Sequence, residues 1–275
     1  MAAIALFGVD HTYELAGTAQ TALVFVHGWL LSRQYWQPLV QDLATDYQCL
    51  TYDLRGFAGS AALAGSARAY TPAAYAEDLA LLLQHLQINQ CWLVGHSLGG
   101  AIALWTAAQL PAQVQGVICL NAGGGIYLQA EFERFRTAGA WIVRSRPAWL
   151  ANLPLMDWLF SRASVAQPVA RHWGKQRLAD LLVANPAAAL GALLESTTQA
   201  EVEQLPQLVS DLQQPVYFLA GQQDPIMELR YVYHLASFHR LAKAGQPNVI
   251  ELANCGHLGM IEQPKAIAAH IRTLV

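Results

Sequence analysis

The chain has 275 residues, 54% of them hydrophobic and only 13% charged, with a formal net charge of −3. That length and apolar content suffice for one large α/β domain or for a core carrying an inserted subdomain, and a chain without a basic stripe excludes nucleic acid as a partner. The mean hydropathy of +0.25 leaves apolar surface that needs an outlet: a lined cavity, a membrane-facing patch or a subunit interface.

The opening stretch, MAAIALFGVD, has no positive n-region and no cleavage site and reads as a first strand rather than a signal peptide. Next come short, nearly continuous apolar runs at 22–26, 48–53, 91–95, 116–121, 215–220 and 248–252, the pattern of strands covered on both faces in a parallel sheet. Helical patterns lie between them at about 35–45, 72–87, 97–110, 228–243 and 264–274. Thr71 and Pro72 supply the second of these with an N-cap and a first-turn proline. Alternating strands and helices predict an α/β fold with a doubly wound, mostly parallel sheet.

One segment breaks the rhythm. From Gly123 to Pro206 no clear strand appears, and amphipathic helical stretches are punctuated by Pro147, Pro154, Pro168 and Pro186. The expectation is a helical cap over 123–206 inserted into a core of 1–122 and 207–275. The cap holds Trp141, Trp149, Trp158 and Trp173, half of the eight tryptophans. Residues 126–200 carry eight Lys or Arg against five Asp or Glu, so the rest of the chain is acidic. Cys49, Cys91, Cys119 and Cys255 are widely spaced, with no CxxC pair. Together with the lack of any apolar run of about 18–20 residues, this predicts no disulfide framework, no metal, no cofactor and a cytoplasmic, non-secreted protein.

Chemistry concentrates in WLVGHSLGGAIAL, residues 92–104. Gly95-His96-Ser97-Leu98-Gly99 joins a predicted strand to a predicted helix, and a serine in so sharp a turn is strained, exposed and close to a helix N-terminus. A helix cap would not need glycine two residues before and two after. A serine hydroxyl also needs a base held by a carboxylate. Asp224 in FLAGQQDPI and His257 in NCGHLGMIEQP follow later strands on the same sheet edge as Ser97, where open α/β sheets bind ligands. Asp211 and Glu251 lie before or within strands; Glu228 is the alternative acid. His96 reads as a pocket-wall or packing residue.

These residues, in the order Ser, Asp, His, resemble the α/β-hydrolase superfamily, and specifically its serine esterase and lipase-like branch with a helical cap. The resemblance implies a Ser97-Asp224-His257 triad. It also implies an oxyanion hole made of the backbone N–H groups of Leu98 and, from FVHGWLLS, of Trp29, with His27 and Gly28 shaping that turn and standing with Phe57 and His96 as candidate pocket residues, and the Trp29 indole lining the acyl pocket. YDLRGFAGS at 52–60 is similar to the superfamily's Asp-x-x-Gly-x-Gly-x-Ser loop. In it Ala58 replaces the second glycine, Phe57 makes the wall more apolar, and Asp53, Arg55 and Ser60 serve as scaffold.

A serine nucleophile argues against the dehalogenase and epoxide hydrolase branches, which use aspartate there. It leaves ester, thioester, amide or lactone hydrolysis, C–C hydrolysis, perhydrolysis, and the pyruvate-eliminating enzyme of the menaquinone pathway. That enzyme gathers arginines for carboxylates, and the cap offers Arg134, Arg136, Arg144, Arg146, Arg162, Arg171 and Arg177. Against it, WIVRSRPAWLANLPLMDWLF at 141–160 suits a lipid interface or a greasy cavity, with Trp141, Trp149 and Trp158 as candidate pocket residues. The expectation is therefore hydrolysis of a large apolar ester, with peripheral membrane contact through the cap. Chlorophyll and pheophytin dephytylases, which remove a phytyl alcohol, are similar in combining such a core with an apolar cap. A slow-turnover small-molecule receptor of the same fold is the reading from another class.

Overall fold

In a computed structural model of the chain, the described residues are 2–60, 68–123 and 129–275, with side chains described in all of these except 129–132. The first residues of the expected cap, 124–128, thus lie outside the described residues.

Two strands, β1 (Ala2–Leu6) and β2 (Val9–Ala16), precede β3 (Ala22–Val26). A 3-10 turn at Arg33–Trp36 leads into α1 (Gln37–Leu43), β4 (Gln48–Tyr52), α2 (Pro72–His85), β5 (Cys91–His96), α3 (Leu98–Gln109) and β6 (Val114–Leu120). There follow α4 (Gln129–Arg144), α5 (Met156–Phe160), α6 (Arg171–Val183), α7 (Pro186–Ser196) and α8 (Gln199–Asp211). The chain returns through β7 (Val216–Gly221), α9 (Leu229–Ser237), α10 (Arg240–Lys243), β8 (Val249–Leu252), α11 (Gly259–Glu262) and α12 (Pro264–Leu274).

Among the described residues the strands form one sheet in the order β1-β2-β4-β3-β5-β6-β7-β8, antiparallel at β1-β2-β4 and parallel beyond. β3 and β5 are buried at every position, which accounts for their continuous apolar sequence: helices cover both faces. On one face Val24, Leu50, Leu93 and Val117 join the core under α2, α3 and the cap; on the other Phe25, Trp36, Val94 and Ile118 pack under α1 and α12. The four cysteines are buried and unpaired. Burial pushes the Cys49, Cys91 and Cys255 thiols up to about 12, so they act as small apolar side chains.

Local sequence accounts for the helix starts. Thr71 accepts the Ala74 N–H at the head of α2, Asn185 accepts those of Ala187 and Ala188 at α7, and Thr198 accepts that of Glu201 at α8.

The structure departs from the sequence expectations at three places. The N-terminus folds as a hairpin, because Gly8, at a φ of +76°, allows β2 to turn back along β1. The helix expected at 228–243 is broken at Phe238 and His239, where His239 caps α10. The boundary expected at 206/207 falls inside α8, which continues through Pro206 to Asp211 and packs its Leu205, Leu208 and Val209 into the core cluster shared with α3. Among the described residues no single helix is long and apolar enough to cross a membrane; α6 and α7 together reach that length and composition but meet at a 96° bend.

α6 meets the turn after β3 through a buried acid. Asp180 of α6 is 3% exposed; it accepts hydrogen bonds from the Ser32 hydroxyl at 3.0 Å and from Gln176 at 2.9 Å. Burial pushes its carboxyl up to about 7 despite those two donors, and the Asp53 charge adds to the rise. Folding therefore takes up a proton between the ordinary carboxylate range, about pH 4, and about pH 7, and stability falls as pH rises through that window. Asp180→Asn should melt near wild type at pH 5 and clearly above it at pH 8. Thermal melts at the two pH values check this, and an equal gap at both would contradict it.

Candidate active site

β5 ends at His96 and α3 begins at Leu98, so the chain turns from strand to helix at one residue, Ser97, with φ +51° and ψ −118°. Glycine is required around it. A Cβ on Gly95 would overlap the Gly99 carbonyl, one on Gly99 would overlap the Val26 carbonyl, and one on Gly100 would lie 2.5 Å from the Ala122 methyl. The turn is thereby pressed against β3 and the end of β6, and the Ser97 N–H donates to Leu120 O at 3.1 Å. Leu98 opens α3, where a first-turn N–H has no intrahelical acceptor.

Asp224 and His257, on the loops after β7 and β8, are brought together: His257 Nδ1 lies 2.8 Å from Asp224 Oδ2. Asp224 Oδ1 accepts the N–H groups of Ile226 and Met227, each at 2.9 Å. Burial alone would raise the Asp224 carboxyl, but the charge and hydrogen bond of His257 and those two backbone donors hold it below the ordinary carboxylate value. The alternative acid, Glu228, is elsewhere, exposed and paired with Arg230 at 3.0 Å.

His96 links the pieces. It is fully buried, its ring centroid is 4.8 Å from that of His257, and its Nε2 lies 2.7 Å from the His257 carbonyl oxygen. Burial, and then the neighbouring His257, pull its pKa down to about 3, so it is a neutral donor to that carbonyl. Its other nitrogen abuts Gly28, where a Cβ would lie 2.7 Å away.

His27 does not face a pocket. It is fully buried, with Nε2 accepting the Leu54 N–H at 2.9 Å and Nδ1 therefore donating to the Gly28 carbonyl at 2.8 Å. Phe57 packs edge-on against its ring, buried behind the loop rather than forming a wall. The Trp29 indole, expected in the acyl pocket, reaches the cap instead: its Nε1 donates to Ala189 O of α7 at 2.8 Å. Asp53 does act as scaffold, collecting the N–H groups of Arg33 and Gly59 and the Arg33 guanidinium.

The three cap tryptophans expected to line the pocket point outward, with Trp141 67%, Trp149 59% and Trp158 43% exposed. On α4 the reason is geometric: Ala140 and Val143 form the buried face, and Trp141 and Ile142 fall on the other side.

Two residues here escaped the sequence reading. Glu262 accepts the N–H groups of Gly256 and Leu258 on either side of His257 and that of Ala166 in the cap, while the His257 N–H donates to Ser164 O at 2.8 Å. Asn121, directly after β6, donates to Asp224 Oδ2 at 3.1 Å and to Gly256 O at 2.9 Å. An asparagine ending an apolar strand was its only trace in the sequence.

A serine in a strained strand-to-helix turn, with an Asp-His pair on later loops of a mostly parallel sheet, defines a class of enzyme, and the chain belongs to the alpha/beta hydrolase fold family, whose model matches residues 21–264. It is an enzyme of that superfamily. Among curated relatives it is similar to 2-succinyl-6-hydroxy-2,4-cyclohexadiene-1-carboxylate synthase of Salmonella newport (strain SL254), 29% identical over 265 residues, which are 94% of this chain and 95% of that protein. Among solved structures it is similar to a thermophilic esterase from Thermogutta terrifontis, with a TM-score of 0.77 and 23% identity over 99% of this chain and 97% of that one. An esterase from Rhodococcus sp. ECU1013 gives a TM-score of 0.79 and 22% identity over 99% and 96% of the two chains. At these identities the structural likeness speaks for the fold alone.

The Ser97 backbone yields a test of its own. A non-glycine residue held in a sparsely populated region costs about 1–3 kcal/mol, and glycine relieves this at about 0.5–1 kcal/mol for a looser unfolded chain. Ser97→Gly should therefore be more stable than Ser97→Ala by about 1 kcal/mol. Denaturant unfolding of both variants checks it; a less stable glycine variant would show that the turn is unstrained.

Proposed function

We propose that this protein is a serine hydrolase that cleaves carboxylic esters with a large apolar acyl or alcohol part, a phytyl ester being the model case, through an acyl-enzyme and without a cofactor. The observation that carries the reading is the His257–Asp224 hydrogen bond at 2.8 Å, on loops beside the strained Ser97 turn. With Nδ1 committed to Asp224, the nitrogen left for the serine is Nε2. His257 takes the Ser97 proton as Oγ attacks the acyl carbon, and Asp224 stabilises the imidazolium. The N–H groups of Leu98 and Trp29 are the donors for the oxyanion, each worth about 3–4 kcal/mol of barrier. His257 then protonates the leaving alcohol, and water repeats the cycle on the acyl-enzyme.

The outer face of the cap supports the apolar half of the reading. Trp141, Ile142, Trp149, Leu153, Leu155, Trp158, Leu159 and Val183 are all exposed, and large apolar side chains left in water along one stretch of chain suit contact with lipid. Arg162 lies over the Trp158 ring with its guanidinium carbon 4.1 Å from the centroid, an arrangement suited to the headgroup region of an anionic bilayer. A substrate dissolved in lipid would be met there.

The similarity to the synthase favours a second reading, elimination of pyruvate from a carboxylate-bearing substrate. Arginines free to hold carboxylates would be needed. Arg146 and Arg177 instead donate to carbonyls of the cap, as Arg136 does to Leu194 O and Thr197 O. Arg171 pairs with Asp157 and Arg162 faces Trp158, which leaves Arg134 and Arg144, exposed on α4, of the seven. Pyruvate release with no ester turnover would establish the second reading. Single turnover with ligand-dependent partner binding would establish a receptor.

A fluorophosphonate should label wild type at Ser97 and leave Ser97→Ala unlabelled; labelling at another serine removes the nucleophile assignment. Asp224→Asn should lose several orders of magnitude in kcat, since His257 can then adopt the wrong tautomer.

The exposed tryptophans can be removed without opening the core. Trp149→Ala combined with Trp158→Ala should cut activity on phytyl or long-chain esters far more than on acetates, and should weaken flotation with anionic vesicles. Equal loss on both ester classes, together with a wild type that never floats, would reduce the cap to a structural lid.

A further inference from the structure

We infer that Asn121 is a positioning residue for the acid–base pair, supplying the last donor to the Asp224 carboxylate and tying it to the chain immediately before His257. The inference rests on the reading of Asp224 and His257 as acid and base.

Both oxygens of Asp224 accept hydrogen bonds. Oδ1 has two backbone donors, Ile226 and Met227. Oδ2 has the His257 ring at 2.8 Å and Asn121 Nδ2 at 3.1 Å. A carboxylate offers about four acceptor positions, so Asn121 completes the set, and it does so on the oxygen that holds the base. The same Nδ2 donates to the Gly256 carbonyl at 2.9 Å, one residue before His257. One amide therefore bridges the acid and the backbone of the base.

The orientation of that amide is settled by its neighbours. Reversed, it would set its carbonyl oxygen against two acceptors, Asp224 Oδ2 and Gly256 O. In the orientation observed, Oδ1 is buried with no hydrogen-bond partner among the described residues, in front of Gly259, whose Cβ would lie 2.8 Å from it. An unpaired buried carbonyl lowers stability, so what the residue contributes is its donor side. The backbone suits asparagine as well: φ is +47°, a region asparagine and aspartate enter more readily than other non-glycine residues.

During the reaction His257 becomes a cation and Asp224 must stay ionised and in place. The Asn121 donor opposes rotation of the carboxylate away from Nδ1 and holds Gly256, and so His257, at a fixed distance. Losing a hydrogen bond to a charged group corresponds to a rate loss of about 10- to 100-fold.

Asn121→Asp separates a donor from a spacer. It keeps shape and backbone preference, but the introduced carboxyl donates only while protonated, and beside Asp224 the two acids share a proton. Asn121→Gly keeps the left-handed backbone and removes the side chain. The measurement is the rate of fluorophosphonate reaction at Ser97 in the full chain from pH 5 to 10, with melting temperatures alongside. Asn121→Asp should approach the wild-type rate at the acid end and fall reversibly by about 10- to 100-fold on the alkaline side, a descending limb that wild type lacks. Asn121→Gly should be slow at every pH. An Asn121→Asp rate within about twofold of wild type throughout, or reduced by the same factor at every pH, overturns the inference. If Asn121→Gly does not fold, the reversible limb within Asn121→Asp still decides. If wild type is not labelled at Ser97, it is the serine-hydrolase reading that fails. The contact is then read from the His257 Nδ1 proton resonance, which should move with the second titration in Asn121→Asp and not in wild type; no such movement overturns the inference.

Discussion

Everything in this molecule is arranged around one forced turn. The chain reverses from β5 into α3 within a single residue, and the space for this exists only because Gly95, Gly99 and Gly100 have no side chains where the Gly99 and Val26 carbonyls and the Ala122 methyl already stand. Such strain persists only where the surroundings over-determine it. They do so here because β5 is buried at every position between β3 and β6, so neither the strand nor the helix after it can shift to relax Ser97.

The groups that surround the serine are held by backbone hydrogen bonds more than by side-chain packing. His27 spends both ring nitrogens on the backbone of its own loop and the next one. His96 spends its donor on the carbonyl of His257, and Glu262 gathers the amides on either side of that residue. Each of these side chains is consumed in fixing a loop, and fixed loops are what a preorganised site requires. The helical segment 129–211 is drawn into the same network, since Ser164 O accepts the His257 N–H, the Ala166 N–H donates to Glu262 and Trp29 bonds to α7. A displacement of these helices would therefore be felt at His257 and at the loop that carries Trp29 together.

The cap's two faces have opposite characters. Inward, it presents Ala188, Ala189, Ala192 and Leu193 to the core, together with the buried carboxyl of Asp180 on Ser32. Outward, it presents tryptophan and leucine to solvent. The high hydropathy of the chain is thus accounted for partly by a conventional core and partly by a surface that leaves apolar area in water, at about 25 cal/mol per Å².

The sequence by itself determined the six apolar strands β3 to β8, the serine turn and the identity of the acid and base candidates. Those features are local: a strand buried on both faces must be continuously apolar, a one-residue reversal must be walled by glycine, and Asp224 and His257 each follow a strand by a few residues. The direction in which a side chain points across a gap between elements was decided by the tertiary structure alone. Trp141, Trp149 and Trp158 look like pocket walls in the sequence, yet the buried stripe of α4 runs through Ala140 and Val143 and turns Trp141 outward. His27 and Phe57 resemble lining residues until the loop after β4 folds over them. Asn121 meets Asp224 across 103 residues of chain, because β6 and β7 are neighbours in the sheet; a bond made by strand order leaves no spacing in the sequence by which to find it.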